Sequence, residues 1–112
     1  MTLVRIESGE ENQCILDIVK STWGFTAFAW LAAKRIETGG SKWTWNGVDS
    51  WTPNDKTLYQ NWNVEGVEGQ QPENYGGNED CVTLKANKNG TWFDLPCTYV
   101  RYFICEASNS SN

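Results

Sequence analysis

Two kinds of hydrophobic pattern organise the first third of the chain. Ser8 followed by Glu11 forms a capping-box pattern, and residues 10–20 then show the spacing of an amphipathic helix. Residues 25–33 are aromatic and apolar without a turn signal, which predicts a buried strand after Gly24. The predicted apolar face of the helix consists of Cys14, Ile15, Ile18 and Val19.

The pattern changes over residues 46–78, which are rich in Asn, Gly, Gln and Glu and have neither the strand nor the helix period. A loop this long inside a compact domain is normally functional or disordered. Its large apolar side chains favour an ordered loop, because they need burial. Regular structure is predicted again for residues 81–84 and 99–106, with a turn at 87–90. These apolar loop residues are Trp51, Leu58, Tyr59 and Trp62.

Composition predicts one soluble globular domain. The 112 residues leave no room for a second domain, and 39% hydrophobic with 21% charged residues is ordinary for such a unit. The net charge of −5 argues against a general nucleic-acid or anionic-membrane binder. No apolar run reaches the ~20 residues that cross a bilayer, so no membrane insertion is expected. The first residues lack a signal-peptide core, so we expect that a leader was removed or never included.

The cysteine and histidine content limits the compartments and the classes of function that are expected. Four cysteines in a short chain indicate disulfides and an extracellular, secreted protein, and none has the Cys-x-x-Cys spacing of a zinc or redox site. Histidine is absent, so the chain lacks the residue that serves as general base in serine triads and in imidazole acid–base catalysis. We therefore do not expect an enzyme.

The long loop is acidic. Residues 57–84 contain no Lys or Arg, so their carboxylates lack local counter-charges. Irregular backbone with oxygen ligands suits Ca²⁺, which accepts about six to eight of them. The alternative is a solvated acidic loop without a metal. Pro72 would hold the side chains of Gln71 and Glu73 on one side if its peptide bond were cis. The carboxylates of this segment are Glu65, Glu68, Glu73, Glu79 and Asp80.

At this point the chain resembles a C-type lectin-like domain, the carbohydrate-recognition domain of that family. The resemblance implies an α+β fold in which small antiparallel sheets carry a helix and a long irregular loop. It covers residues 1–106, shortened by the absence of the family's first strand and helix, and leaves 107–112 as a flexible polar tail. The matching motifs are Ala29-Trp-Leu-Ala-Ala33, Asn61-Trp62, Gln71-Pro72-Glu73-Asn74, Gly77-Asn-Glu-Asp-Cys-Val82, Asn89-Gly-Thr-Trp-Phe-Asp-Leu-Pro-Cys97 and Phe103-Ile-Cys-Glu106.

The resemblance also implies a disulfide between Cys81 and Cys97. In the family, the cysteine at position 105 pairs with one in the missing first helix. Here Cys105 either pairs with Cys14, or both are free. Four tryptophans are assigned to the core: Trp30, Trp45, Trp62 and Trp92.

A calcium and sugar site follows from the same resemblance. It would hold Ca²⁺ through Gln71, Glu73, Glu79 and Asp94, with Asn74 and Asp80 at an auxiliary cation site. The family's Trp-Asn-Asp motif is Trp92-Phe93-Asp94 here, and phenylalanine supplies neither a carbonyl oxygen nor an N–H donor. Calcium affinity should therefore fall to ~10⁻⁴–10⁻³ M. The ligand-binding residues would be Gln71, Glu73, Tyr75, Glu79 and Phe93, with the two aromatic rings stacking on a sugar.

Two functions are predicted on this basis. The first is recognition of carbohydrate, galactose-type or microbial, through a weak calcium site, with oligomers providing avidity. The order amide, proline, acid at Gln71-Pro72-Glu73 resembles galactose-type sites. The second is a calcium-independent module with a degenerate sugar site that binds a protein or a surface, which Phe93 favours.

Overall fold

A computed structural model describes residues 2–37, 40–66, 69–73, 77–99 and 101–106 of the chain. Within these residues one α-helix and eight strands form, and the predicted α+β class is confirmed. The elements are β1 Thr2–Leu3, α1 Gly9–Trp23, β2 Phe28–Arg35, β3 Trp43–Trp45, β4 Val48–Trp51, β5 Cys81–Lys85, a 3-10 turn Ala86–Lys88, β6 Thr91–Leu95, β7 Tyr102–Phe103 and β8 Cys105–Glu106.

The helix α1 begins where the capping box predicts. Ser8 Oγ accepts a hydrogen bond from the Glu11 N–H at 3.0 Å, and Glu11 Oε1 accepts one from the Glu7 N–H at 2.6 Å. The first bond satisfies a helical N–H that has no partner at an N-terminus, and the second fixes the residue that precedes the cap. The helix ends at Gly24, whose φ of 104° only glycine adopts easily.

We expect Ser8→Ala to lower the free energy of unfolding by about 1 kcal/mol, because the Glu11 N–H loses its acceptor. Urea unfolding followed by circular dichroism measures the change. Ser21→Ala is the matched control, since Ser21 is an exposed serine inside the same helix. Equal losses in the two variants would contradict the capping role.

The buried face of α1 differs from the predicted one. Ile15 and Val19 are buried as expected, but Cys14 is exposed and Ile18 is 40% exposed, so the prediction was wrong for these two. Their places in the core are taken by Asn12 and Leu16.

Asn12 explains this rotation of the helix. Its side-chain Nδ2 donates to the Gly90 carbonyl at 3.1 Å, and its Oδ1 accepts from Trp92 Nε1 at 2.8 Å. A polar side chain is tolerated in a core when its donors and acceptors are satisfied. Hydrophobic spacing alone cannot detect such a residue, and it therefore assigned the wrong face.

Strand β2 is the centre of the main sheet. It pairs antiparallel with β3 and β5 and parallel with β7, and the strand order is β4-β3-β2-β5-β6. The strand predicted for residues 25–33 starts later, because Phe25 is 72% exposed and lies before Phe28. The strand ends at Arg35, which is only 7% exposed. Strand β2 thus carries a charged side chain into the interior.

Strands β3 and β4 form a hairpin, whose turn and second strand lie in the segment predicted to be irregular. Asn46 and Gly47 connect them, with φ values of 53° and 79°, as in a two-residue hairpin turn that requires positive φ at both positions. The predicted irregular segment 46–78 was therefore wrong over Val48–Trp51. The described residues between 52 and 80 form no strand, apart from a single bridge between Trp62 and Trp92.

Trp92 is the centre of an aromatic core. It is fully buried, and the rings of Trp45, Tyr59 and Trp62 contact it edge-on at centroid distances of 5.7, 5.9 and 5.8 Å. Such geometry suits the aromatic quadrupole. Trp45 is buried as predicted and Trp62 is half-buried against the core; Trp30, the fourth tryptophan of that prediction, is half-buried.

The cysteines divide into one bridge and two thiols. Cys81 and Cys97 form the predicted disulfide, which joins the start of β5 to the chain that follows β6. Cys14 and Cys105 are free and exposed, so of the two alternatives the unpaired one is found.

The first and last strands close the domain. Thr2 lies opposite Glu106 and Leu3 opposite Cys105 in the antiparallel pair of β1 and β8.

Candidate functional site

Residues Gln71, Pro72 and Glu73 are the part of the long loop that approaches strand β6. The Gln71–Pro72 peptide bond is cis, the arrangement considered in the sequence analysis. Gln71 is 1% exposed, and its N–H donates to the Asn63 carbonyl at 2.8 Å. Glu73 is exposed. The segment therefore presents Glu73 to solvent and buries Gln71.

Asn63 holds this loop against the sheet. It is 6% exposed, and its side-chain Nδ2 donates to the carbonyls of Glu65 at 2.7 Å and Gly69 at 2.9 Å. Its backbone N–H donates to the Trp92 carbonyl at 3.1 Å. One buried amide thus fixes both the loop and its position beside β6.

Asp94 connects the loop to the interior. Its Oδ1 accepts a hydrogen bond from the Glu73 N–H at 2.9 Å, and its Oδ2 lies 3.1 Å from Arg35 Nη2. Asp94 is 1% exposed. Both oxygens of the carboxylate that the resemblance assigns to calcium therefore already bind donors of the protein.

Arg35 contacts three of the residues that the resemblance assigns to metal binding, Glu79, Asp80 and Asp94. Its Nε pairs with Asp80 Oδ1 at 3.1 Å, and its Nη2 donates to the Glu79 carbonyl at 3.1 Å as well as to Asp94. Its Nη1 donates to the Gly40 carbonyl. The guanidinium also lies 4.3 Å from the ring centroid of Trp43. Desolvated stacking of this kind favours arginine.

The remaining predicted ligands do not face one common site. Glu79 is 6% exposed, and its backbone carbonyl faces Arg35. Asp80, predicted for an auxiliary cation site, pairs with the same guanidinium. Asn74 and Tyr75 lie outside the described residues. Among the residues that the structure describes, no three His, Cys, Asp or Glu side chains are grouped as a metal centre.

Phe93 lies in the core and is 2% exposed. The Lys85 ammonium lies 3.9 Å from its ring centroid. A buried ring has no free face for a sugar, so the predicted stacking role does not fit this position. Successive side chains of a strand point to opposite faces of the sheet, so the burial of Trp92, Phe93 and Asp94 in a row shows that β6 is covered on both faces.

Two titratable groups of the loop depart from their usual pKa. The Thr57 hydroxyl and N–H donate to Asp55 Oδ1 at 2.6 and 2.9 Å, which lowers the pKa of Asp55. Burial raises the pKa of the Tyr59 phenol. At neutral pH, Asp55 is therefore charged and Tyr59 neutral. Neither residue belongs to the predicted ligand set.

The side chains present do not fit a calcium ion at the predicted position. Calcium bound to Asp94 would lie about 2.3–2.6 Å from a carboxylate oxygen. The Arg35 guanidinium already lies 3.1 Å from Oδ2 of that carboxylate, so the two cations would repel each other at close range. Phe93 supplies no replacement oxygen.

Sequence reasoning missed Arg35. Residues 57–84 contain no Lys or Arg, and the guanidinium that pairs with Asp80 comes from the end of β2, distant in sequence. The available signal was weak, because the strand ends in two charged residues, Lys34 and Arg35, and only Arg35 is buried.

Comparison with known proteins agrees with this architecture. The lectin C-type domain matches residues 2–107. The chain belongs to the C-type lectin domain family. Human tetranectin is 30% identical over 105 residues, which is 94% of this chain and 47% of tetranectin. The chain thus spans about half the length of this curated relative.

Two solved C-type lectin folds are informative. The carbohydrate-recognition domain of the mouse scavenger receptor C-type lectin is 30% identical, with a TM-score of 0.64, covering 90% of this chain and 67% of that one. A calcium-independent type II antifreeze protein is 27% identical, with a TM-score of 0.55, covering 85% of this chain and 58% of that one.

Within the described residues, no helix is long and apolar enough to cross a membrane.

Proposed function

We propose that this C-type lectin domain is an extracellular, non-catalytic recognition module that binds glycans at the exposed face of its long loop without requiring calcium. The observation that carries the proposal is the Asp94 carboxylate, whose two oxygens bind the Glu73 N–H and the Arg35 guanidinium. These two protein groups thereby hold the loop against the interior. Glu73 remains exposed and is the residue that we expect to contact the ligand.

Three further observations support this proposal. The family is one of binding modules, and the mouse relative is a carbohydrate-recognition domain. A solved relative of the same fold is described as calcium-independent. The Cys81–Cys97 disulfide suits an oxidising, extracellular compartment. Oligomers would raise the avidity of a weak single site.

A second candidate is calcium-dependent binding of galactose-type sugars through Gln71, Glu73, Glu79 and Asp94. The exposure of Glu73 favours it. This ligand set stays a prediction, and it requires the Arg35 guanidinium to move away from Asp94.

Glycan-array binding in calcium and in EDTA tests the two candidates. We expect the same glycans to bind in both conditions, with Glu73→Ala reducing binding by at least about tenfold, the effect of one lost charge-assisted hydrogen bond. Glu65→Ala is the matched control, because Glu65 is an exposed carboxylate of the same loop.

Binding that disappears in EDTA would favour the calcium-dependent candidate. An array without any bound glycan would contradict glycan recognition and favour a protein or surface ligand.

A further inference from the structure

We propose that the Arg35 guanidinium is a built-in cation that takes the place of a divalent metal ion, and that neutral substitutions of Arg35 open a calcium site. The proposal deepens the proposed function and rests on it only in treating residues 71–73 as the ligand face. Its central observation is the set of oxygen atoms around one buried side chain.

Four oxygen atoms converge on the guanidinium. Two belong to the carboxylates of Asp80 and Asp94, each 3.1 Å from an Arg35 nitrogen. Two are the backbone carbonyls of Glu79, at 3.1 Å, and Gly40. Carboxylate and carbonyl oxygens are the donors that Ca²⁺ prefers, and waters complete its shell. The environment therefore suits a hard cation, and arginine supplies the charge.

Because Asp94 is buried, its carboxylate needs a positive charge beside it. The side chain of Arg35 is 6% exposed and that of Asp94 is 0% exposed. A carboxylate removed from water is costly unless a positive charge and hydrogen bonds compensate it. A neutral residue at position 35 would leave two acidic groups facing a vacated volume.

The position of Arg35 also explains how a fixed cation organises the binding loop. The guanidinium joins the end of β2 to the turn at Gly40, to residues 79–80 and to β6. Through Asp94 Oδ1 it fixes the backbone of Glu73. A positively charged side chain thus connects strand β2 to two segments that are remote in sequence, as a structural metal ion does in other proteins.

Calorimetric calcium titration of a charge series at position 35 tests the proposal. We expect no calcium heat with the unaltered protein or with Arg35→Lys, which keeps the positive charge. Arg35→Ala and Arg35→Gln should bind calcium in the millimolar to submillimolar range. Lys34→Ala, an exposed neighbour on the same strand, removes one charge as a control and should not bind calcium.

Thermal unfolding provides the second measurement. In EDTA the two neutral variants should melt about 10 °C or more below the unaltered protein. Millimolar calcium should recover several degrees of that loss in these variants alone. A merely structural arginine would lose stability without this gain in calcium response.

Calcium uptake by the unaltered protein would overturn the proposal. So would neutral variants that take up no calcium, or that stay unfolded in calcium as in EDTA. Because no glycan is used, a failed glycan array does not affect this test, and a failed titration does not decide glycan recognition.

Discussion

Replacing Asp94 by alanine should lower the free energy of unfolding by about 3–5 kcal/mol, because it leaves the buried Arg35 guanidinium without its most deeply buried partner. The Glu73 N–H loses its acceptor in the same variant. A domain of this size has a total stability of about 5–15 kcal/mol, so the variant should be only marginally folded.

Urea unfolding of Asp94→Ala and Asp94→Asn measures this effect. The asparagine keeps an acceptor for the Glu73 N–H and should cost less than the alanine. Asp17→Ala, an exposed aspartate on α1, is the control and should change stability by no more than about 0.5 kcal/mol. If the Asp94 variants matched this control, the ion pair with Arg35 would not contribute to the fold.

Trp92→Ala should lower the free energy of unfolding by about 3–5 kcal/mol, the range for removing a large aromatic side chain from a core. Trp92 is fully buried, contacts three other aromatic rings and donates its indole N–H to Asn12. Chemical denaturation measures the loss.

Trp92→Phe separates the hydrogen bond from the packing. It retains most of the ring but leaves Asn12 Oδ1 without this donor, which should cost about 1–3 kcal/mol. Trp23→Ala is the control, since Trp23 is half-buried and stacks on Tyr102. A loss at Trp23 as large as that at Trp92 would argue against Trp92 as the centre of the core.

Local signals in the sequence were sufficient for much of the fold. The capping box at Ser8 and Glu11 needs only neighbouring residues, and it is confirmed. The family resemblance, the α+β class and the Cys81–Cys97 bridge are confirmed as well. The missed hairpin was also local, because Asn46-Gly47 between tryptophan-containing runs is a strong turn signal.

The errors concern residues whose environment is set by distant parts of the chain. Asn12 is buried only because Gly90 and Trp92 satisfy its amide. Arg35 is buried where the nearby Gly40 and two remote segments, at Glu79 and Asp94, supply oxygens. Hydrophobic periodicity cannot detect such residues, because it assigns each residue by its polarity and ignores its hydrogen-bond partners. The buried cation beside Asp94 was therefore not foreseen, and the predicted site residues stay a prediction.

Pairing of Thr2–Leu3 with Cys105–Glu106 places the first and last described strands side by side. A unit with adjacent ends can be inserted within another polypeptide, or repeated along one, without pulling its core apart. The distance between neighbouring copies would then depend on the linkers, and those linkers would decide which spacings of repeated ligands can be bridged.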